Sequence, residues 1–497
     1  ALTGIGARIK AYAITVDAAD SLTTFMVAGT VAVSGTAAVG ITAIVSVLHN
    51  TTTAGFGANN HIESVTGDIS IGATSERNVG SCAATVSVGV GGAGVGATIM
   101  VTVVGGKLTK DTTDGLSKGF NSDSFMDTAF GAAHGSAAGY NKKSGTADAL
   151  QSDGVKQADT QVGGDGKFDG ESGYRSDEFD ESGTQGDAGA RGGDQEIDES
   201  ENGDISAAGD LGATKPDYDP KDSITAYIGT GAVVTSASNI KVKAYDNLIS
   251  DMFSGVVAGG MYAGVGIGVS VAVLYSNVLA YVEDDAQLTA GGDIEVSARA
   301  GSTPVEDEDA ERVGELEDSF DDGSSIDLTD RTIRAISITG SGGAAAISGA
   351  VAAIVVNSNV IAYIEGDVLQ ADNLTIKAVS EYPLCLSATL AAGGGIGSVN
   401  ASVAIVQVNG SSEASICGDA DINVSGKVLV KTVLNTSALT GAGAFASGGI
   451  GVNGAVSLAV NRTRVDTFVG QGVTLRAAEL TVDADVDSHA RAYILGV

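Results

Sequence analysis

NSNVIAYIEGD at Asn357–Asp367, NGSSEASICGD at Asn409–Asp419 and NRTRVDTFVGQ at Asn461–Gln471 are three versions of one unit. An Asn opens each, 52 residues after the one before. Each Asn follows an apolar alternating run (Ile354–Val356, Val403–Val408, Val456–Val460), and each run follows a glycine cluster (Gly340–Gly343, Gly393–Gly397, Gly448–Gly451). Behind each Asn come an extended segment, a turn and a further strand: Asn373–Ala378 (NLTIKA), Lys427–Thr432 (KVLVKT) and Glu479–Ala484 (ELTVDA). The unit recurs upstream at Tyr275–Asp285 with Asp293–Ala298 (DIEVSA), at Lys221–Gly231 with Asn239–Ala244 (NIKVKA), and at His49–Asn59 with Gly67–Ala73 (GDISIGA). Self-similarity at a fixed period of this order marks a stacked array.

Composition agrees with an all-β array. Val, Ile, Ala, Ser and Thr fill the units, and 71 Gly against 4 Pro suit tight corners that keep their ladder donors. The expected fold is a parallel β-helix (β-solenoid) of ~52-residue repeats, with about two coils each because the unit is long for one coil. At about 26 residues and ~4.8 Å per coil this predicts some 14–15 coils in a rod near 70 Å long. The repeats occupy residues 1–106, 221–303 and 334–497. They are interrupted by a Gly/Ser/Asp-rich insertion at 107–220 and a strongly acidic loop at 304–333, both too poor in apolar side chains to offset their ordering entropy. Both ends of the chain read as interior sequence, which predicts either a segment of a longer chain or subunits that complete one another end to end.

A formal charge of −34 excludes electrostatic partnership with nucleic acid or anionic lipid, which need a basic footprint. Cys82, Cys385 and Cys417 fall at different phases of the unit and show neither a disulfide framework nor zinc spacing. Met252–Val282, Ala335–Ile364 and Tyr382–Ser412 lack Asp, Glu, Lys and Arg, apart from Glu381 just outside the last. They recur in register with glycine clusters and without flanking basic residues, so they read as buried strands, not membrane helices.

Candidate sites are few. Asp198, Ser200, Asn202 and Asp204 carry side-chain oxygens at positions 1, 3, 5 and 7 of a loop with Gly203 at position 6, which resembles the first part of an EF-hand and makes Ca²⁺ the candidate ion. Position 12 is Gly209 where an acidic ligand belongs, and the null alternative is an acidic loop without a defined ion. Asn357, Asn409 and Asn461 read as structural turn positions stacked in an Asn ladder. Gly89–Gly94 matches G-x-G-x-x-G, but no helix follows, so nucleotide binding is excluded. His49, His61, His134 and His489 sit in no nucleophile setting, and the chain has no Trp to line a sugar groove.

The pattern of Gly264–Ala298 (GVGIGVSVAVLYSNVLAYVEDDAQLTAGGDIEVSA) resembles the repeats of giant bacterial surface adhesins of the filamentous-haemagglutinin and leukotoxin-like type. It covers residues 1–105 and 223–497 outside the acidic loops. The resemblance implies secretion, a right-handed parallel β-helix and an adhesive or scaffold role, and it carries over no catalytic residues. The expectation is an extracellular, cell-surface structural protein that assembles head to tail with itself. An adhesin presenting the acidic insertions is the alternative, and a polysaccharide-acting enzyme comes third.

Overall fold

The computed structural model describes residues 1–105, 223–302 and 333–496. Among them the secondary structure is strand and turn, with no helix long and apolar enough to cross a membrane. Seven short strands form one parallel sheet: β1 (Arg8–Ala11), β5 (His61–Ser64), β9 (Val233–Ser236), β12 (Gln287–Ala290), β16 (Asp367–Ala371), β18 (Asp421–Val424) and β20 (Thr474–Arg476). After each comes a long outgoing strand. These are β2 (Ile14–Ser34), β6 (Ile69–Gly89), β10 (Ile240–Gly260), β13 (Ile294–Gly301) with β14 (Ile333–Gly342), the first halves of β17 (Leu374–Ile416) and β19 (Lys427–Val469), and β21 (Glu479–Gly496). A return strand follows: β3 (Ala37–Leu48) with β4 (Thr52–Phe56), β7 (Ala93–Val104) with β8 (Ser223–Ile228), β11 (Ala263–Val282), β15 (Ala345–Ile364), and the second halves of β17 and β19.

Every pairing between these strands is parallel. Asn357 stands opposite Asn409, Leu374 opposite Val428, and Lys427 opposite Glu479, so neighbours lie one full unit apart. Each unit therefore makes one circuit, not the two expected. The reason is strand length: β10 runs 21 residues and β11 runs 20, so what reads in sequence as several short runs is two long ones. β17 and β19 reach 43 residues each, because pairing continues through the glycine clusters at the far bend.

The two insertions leave the ladders intact. Along β11, Leu274 pairs with Val104 and Asn277 with Ser223, so β7 and β8 are one strand interrupted at 106–222. Along β10, Asn247 pairs with Gly301 and Ser250 with Ile333, so β13 and β14 are likewise one strand interrupted at 303–332. Both halves also pair with β17, which closes a small parallel circuit β10–β13–β17–β14.

Side-chain size sets the cross-section. Near the short strands the interior is wide and aliphatic, with Ile240, Val242, Leu248, Val278, Val282 and Leu288 fully buried together. Farther out, β10 and β11 face each other through Ser254, Ala258, Gly264, Gly266 and Ser270, and the two layers close into a thin arm. The hydroxyls meet directly: Ser270 Oγ donates to Ser254 Oγ at 2.8 Å, and Thr98 Oγ1 donates to Thr85 Oγ1 at 2.9 Å. Thr85 donates to Thr42 at 2.8 Å and Thr42 to Thr30 at 2.9 Å, so the chain of bonds crosses from unit to unit.

This closeness is testable at glycine. A Cβ on Gly264 would lie 2.4 Å from the Gly342 carbonyl oxygen and 2.9 Å from that of Ala258, whereas one on outward-facing Gly349 would meet only Ile267 Cγ1 at 3.9 Å. Gly264→Ala should lower unfolding stability by roughly 1–3 kcal/mol, and Gly349→Ala should leave the denaturation midpoint nearly unchanged.

Candidate functional site

Three side-chain ladders, an acidic corner and one buried ion pair carry the polar chemistry of the described residues. The first ladder runs along the corner that opens the outgoing strands. Asn239 Nδ2 and backbone N both donate to Asp68 Oδ1 at 3.1 Å; the Asp293 N–H donates to Asn239 Oδ1 at 2.8 Å. Asn373 Nδ2 donates to Asp293 Oδ1 at 2.8 Å, and the Lys427 N–H donates to Asn373 Oδ1 at 2.9 Å. Each side chain thus satisfies a backbone donor of the next unit, which is the capacity of Asn and Asp in turns. At Asp68 burial works to raise the pKa, but hydrogen bonds from Ser238 and Asn239 with the charge of Lys241 hold it below the ordinary value.

This is the turn ladder the sequence points to, though not at the residues expected. Asn357 and Asn409 do stack, Asn409 Nδ2 donating to Asn357 Oδ1 at 2.8 Å, but both lie inside strands β15 and β17 instead of at a corner. Asn461 is out of that row. It pairs with Val408, while Asn409 faces Arg462, and its Nδ2 donates to Thr436 Oγ1 at 2.9 Å. The cause is a register shift between Tyr382 and Cys385, around Pro383, whose ring nitrogen has no donor. The signal for the true ladder was the Asn or Asp that opens NIKVKA, DIEVSA and NLTIKA.

On the return strands Tyr227, Tyr281 and Tyr363 stack face to face, with ring centroids 5.6 and 5.1 Å apart. Beside them Asn359 Nδ2 donates to Asn277 Oδ1 at 2.9 Å. Beyond these strands the chain turns through a shallow groove lined by Thr230, Glu283, Asp284, Glu365, Asp419 and Gln471. Its carboxylates are spread along the turns, and no group of three or more His, Cys, Asp or Glu among the described residues could hold a metal ion. Asp198, Ser200, Asn202 and Asp204, the candidate Ca²⁺ ligands, lie outside the described residues, as does His134. His49 and His61 are exposed, and His489 Nε2 lies 2.9 Å from Asp487.

Sequence reasoning gave no hint of the ion pair. Arg77 and Asp246 are fully buried against each other, with Arg77 Nε donating to Asp246 Oδ1 at 3.0 Å. Arg77 Nη2 also donates to the Tyr275 carbonyl at 3.1 Å, and Ser276 Oγ donates to Asp246. The pair sits where β7 ends: a Cβ on Gly105, whose φ is +72°, would lie 2.7 Å from Arg77 Nη1. Nearby, burial and the charge of Asp246 both push the Tyr382 phenol above its ordinary range. Burial pushes the Cys385 thiol up from 9.0 to about 12.

No family model matches this chain, and no curated protein and no solved structure matches it either.

Two measurements follow from the buried groups. Asp246→Ala strands the Arg77 guanidinium and should cost about 3–5 kcal/mol, while Arg77→Met with Asp246→Leu recovers most of that loss. Denaturant titration of both variants checks it. For Cys385 the unfolded thiol ionises near 9.0 and the folded one only near 12, so its contribution to stability is complete below pH 9 and is lost as pH rises towards 12. Pulsed alkylation of the native protein should therefore label half-buried Cys82 well before Cys385, and labelling of Cys385 should track global unfolding.

Proposed function

We propose that this chain is an extracellular structural protein: a β-solenoid, one coil per unit, that serves as a length of cell-surface fibre. The observation that carries the proposal is the unbroken parallel register across all seven short strands and the long strands beside them. A stack of this kind gains stability with each coil and spends its sequence on repetition, which suits a scaffold. At ~4.8 Å per coil, seven coils span about 34 Å, half the length expected from two coils per unit. Extension would come from further coils stacked along the same axis, head to tail, whether from the same chain or from another copy.

The adhesin reading is favoured by one observation. Both insertions depart from mid-strand while the ladder closes over the gap, so the rod can present them without depending on them. Ca²⁺ bound through Asp198, Ser200, Asn202 and Asp204 belongs to that reading. The enzyme reading has no such support.

Negative-stain imaging of the full chain, with and without chelator, tests the scaffold proposal. Uniform rods or filaments are expected, and globular particles would sink it. Replacing residues 107–220 by a short Gly/Ser linker should leave the rods and their thermal stability unchanged. If that deletion abolishes binding to a cell surface while the rods persist, the adhesin reading is the correct one.

A further inference from the structure

The arm has an inverted polarity. Its interior is Ser, Thr, Gly and Ala, whereas the outward positions of the outgoing strands are apolar. On β10, Ser254, Val256 and Ala258 are buried, while Phe253 is 38% and Val257 56% exposed. On β14, Ile338 is 40% exposed between buried Ser337 and Thr339. The outer positions of this face form rows that cross six strands in register. One row is Val31–Val86–Val257–Gly340–Ala392–Phe445, and the next towards the wide end is Gly29–Ala84–Gly255–Ile338–Leu390–Gly443. Charge enters only at the inner margin, where Arg334 Nη2 donates to Asp251 Oδ2 at 2.5 Å.

We propose that this face packs against the same face of a second copy, about a two-fold axis that runs parallel to the long strands between β10 and β14. Such an axis reverses the order of the strands and keeps each row on itself, so the contact is isologous. Large side chains then meet small ones. Val257 faces the partner's Gly340, and Gly255 faces the partner's Ile338. Ala84 faces the partner's Leu390, and Gly80, two positions before Cys82 on β6, faces the partner's Leu386. In the marginal row Asp251 faces the partner's Arg334, so the two internal ion pairs lie head to tail. The exchange of Val for Gly in one row and Gly for Ile or Leu in the next does not serve the ladder itself; it fits a partner that arrives in reverse order.

The area suffices. Phe253–Gly260 reaches about 26 Å at ~3.3 Å per residue, and six strands at ~4.8 Å span about 29 Å. That is roughly 750 Å² from each copy, about 1,500 Å² in all, the size of a stable specific interface. The contact is lateral and distinct from axial stacking of coils.

Cys82 and Ala388 supply the test. They occupy one row on β6 and β17, three strand spacings or about 14 Å apart within a chain. Across the two-fold axis Cys82 faces the partner's Ala388. Ala388→Cys in the full chain, treated with a short bismaleimide, should give covalent dimer at least about ten times faster than the native protein, and Cys82→Ser with Ala388→Cys should give none. Sedimentation should show a dimer of the native chain, dissociated by Ile338→Asp with Leu390→Asp at unchanged circular dichroism. A native monomer at tens of micromolar would overturn the proposal. So would cross-linking that survives Cys82→Ser, or an Ala388→Cys protein that stays uncross-linked but floats with phosphatidylcholine vesicles, which would give the face to lipid.

Discussion

A parallel ladder sets each side chain against its counterpart one unit along, at a spacing of about 4.8 Å, and that requirement governs the rest of this molecule. Like charges at such a distance repel, so the ladder admits charge only in opposite pairs. Lys10 meets Glu63, Arg299 meets Glu381, Arg334 meets Asp251 and Lys431 meets Asp483, each from adjacent strands. These exposed or half-exposed pairs add little stability individually. Their role is to make the register tolerable. Most of the formal charge of −34 is accordingly carried by the two insertions, where no ladder forbids it.

The same constraint explains the two kinds of interior. A wide core can hold Ile and Leu because three layers of strand surround it, and their apolar area is removed from water at one end of each coil. Where only two layers remain, any large residue would recur at every coil and wedge them apart. Small residues are forced, and hydroxyls among them must then bond to one another or to carbonyls, since water does not fit between the layers. Thr389 with Ser402 at 2.6 Å and Ser348 with Ser341 at 2.8 Å continue the pattern set by Ser270 with Ser254. Apolar side chains displaced from such an interior have only the outer face left to occupy.

Much of this was legible in the chain. The unit length, the strands at NIKVKA, DIEVSA and NLTIKA, and the positions where both insertions interrupt it all follow from aligning the sequence on itself. The coil count did not follow, because an alternating run of 20 residues broken by glycine reads as several strands, and nothing local says that Gly393–Gly397 stays paired through a bend. The Asn ladder failed at Asn461 for a similar reason: one residue of register slip at Pro383 is invisible when unit lengths are compared only at their first residue. The inverted arm was the least legible feature. Alternation of Val with Ser or Gly marks a strand with two unlike faces, but hydrophobicity alone assigns the Val face to the core, and here packing volume reverses that assignment.

The two directions in which such a stack can grow therefore draw on different parts of the sequence. Growth along the axis is a backbone matter. Any coil with matching corners can extend the ladder, which makes it permissive and accounts for the near-repetition of Ile240, Ile294 and Leu374 at one position. Growth to the side depends on outer-face side chains, which the ladder leaves free to vary from coil to coil provided they carry no unpaired charge. Val257 beside Gly340, and Gly255 beside Ile338, are such variations: they break the repeat where the interior keeps Ser254 beside Ser337. In a molecule whose interior must repeat, the places that depart from repetition without cost to the ladder are where a specific contact can be encoded, and in this chain they gather on one face of the arm.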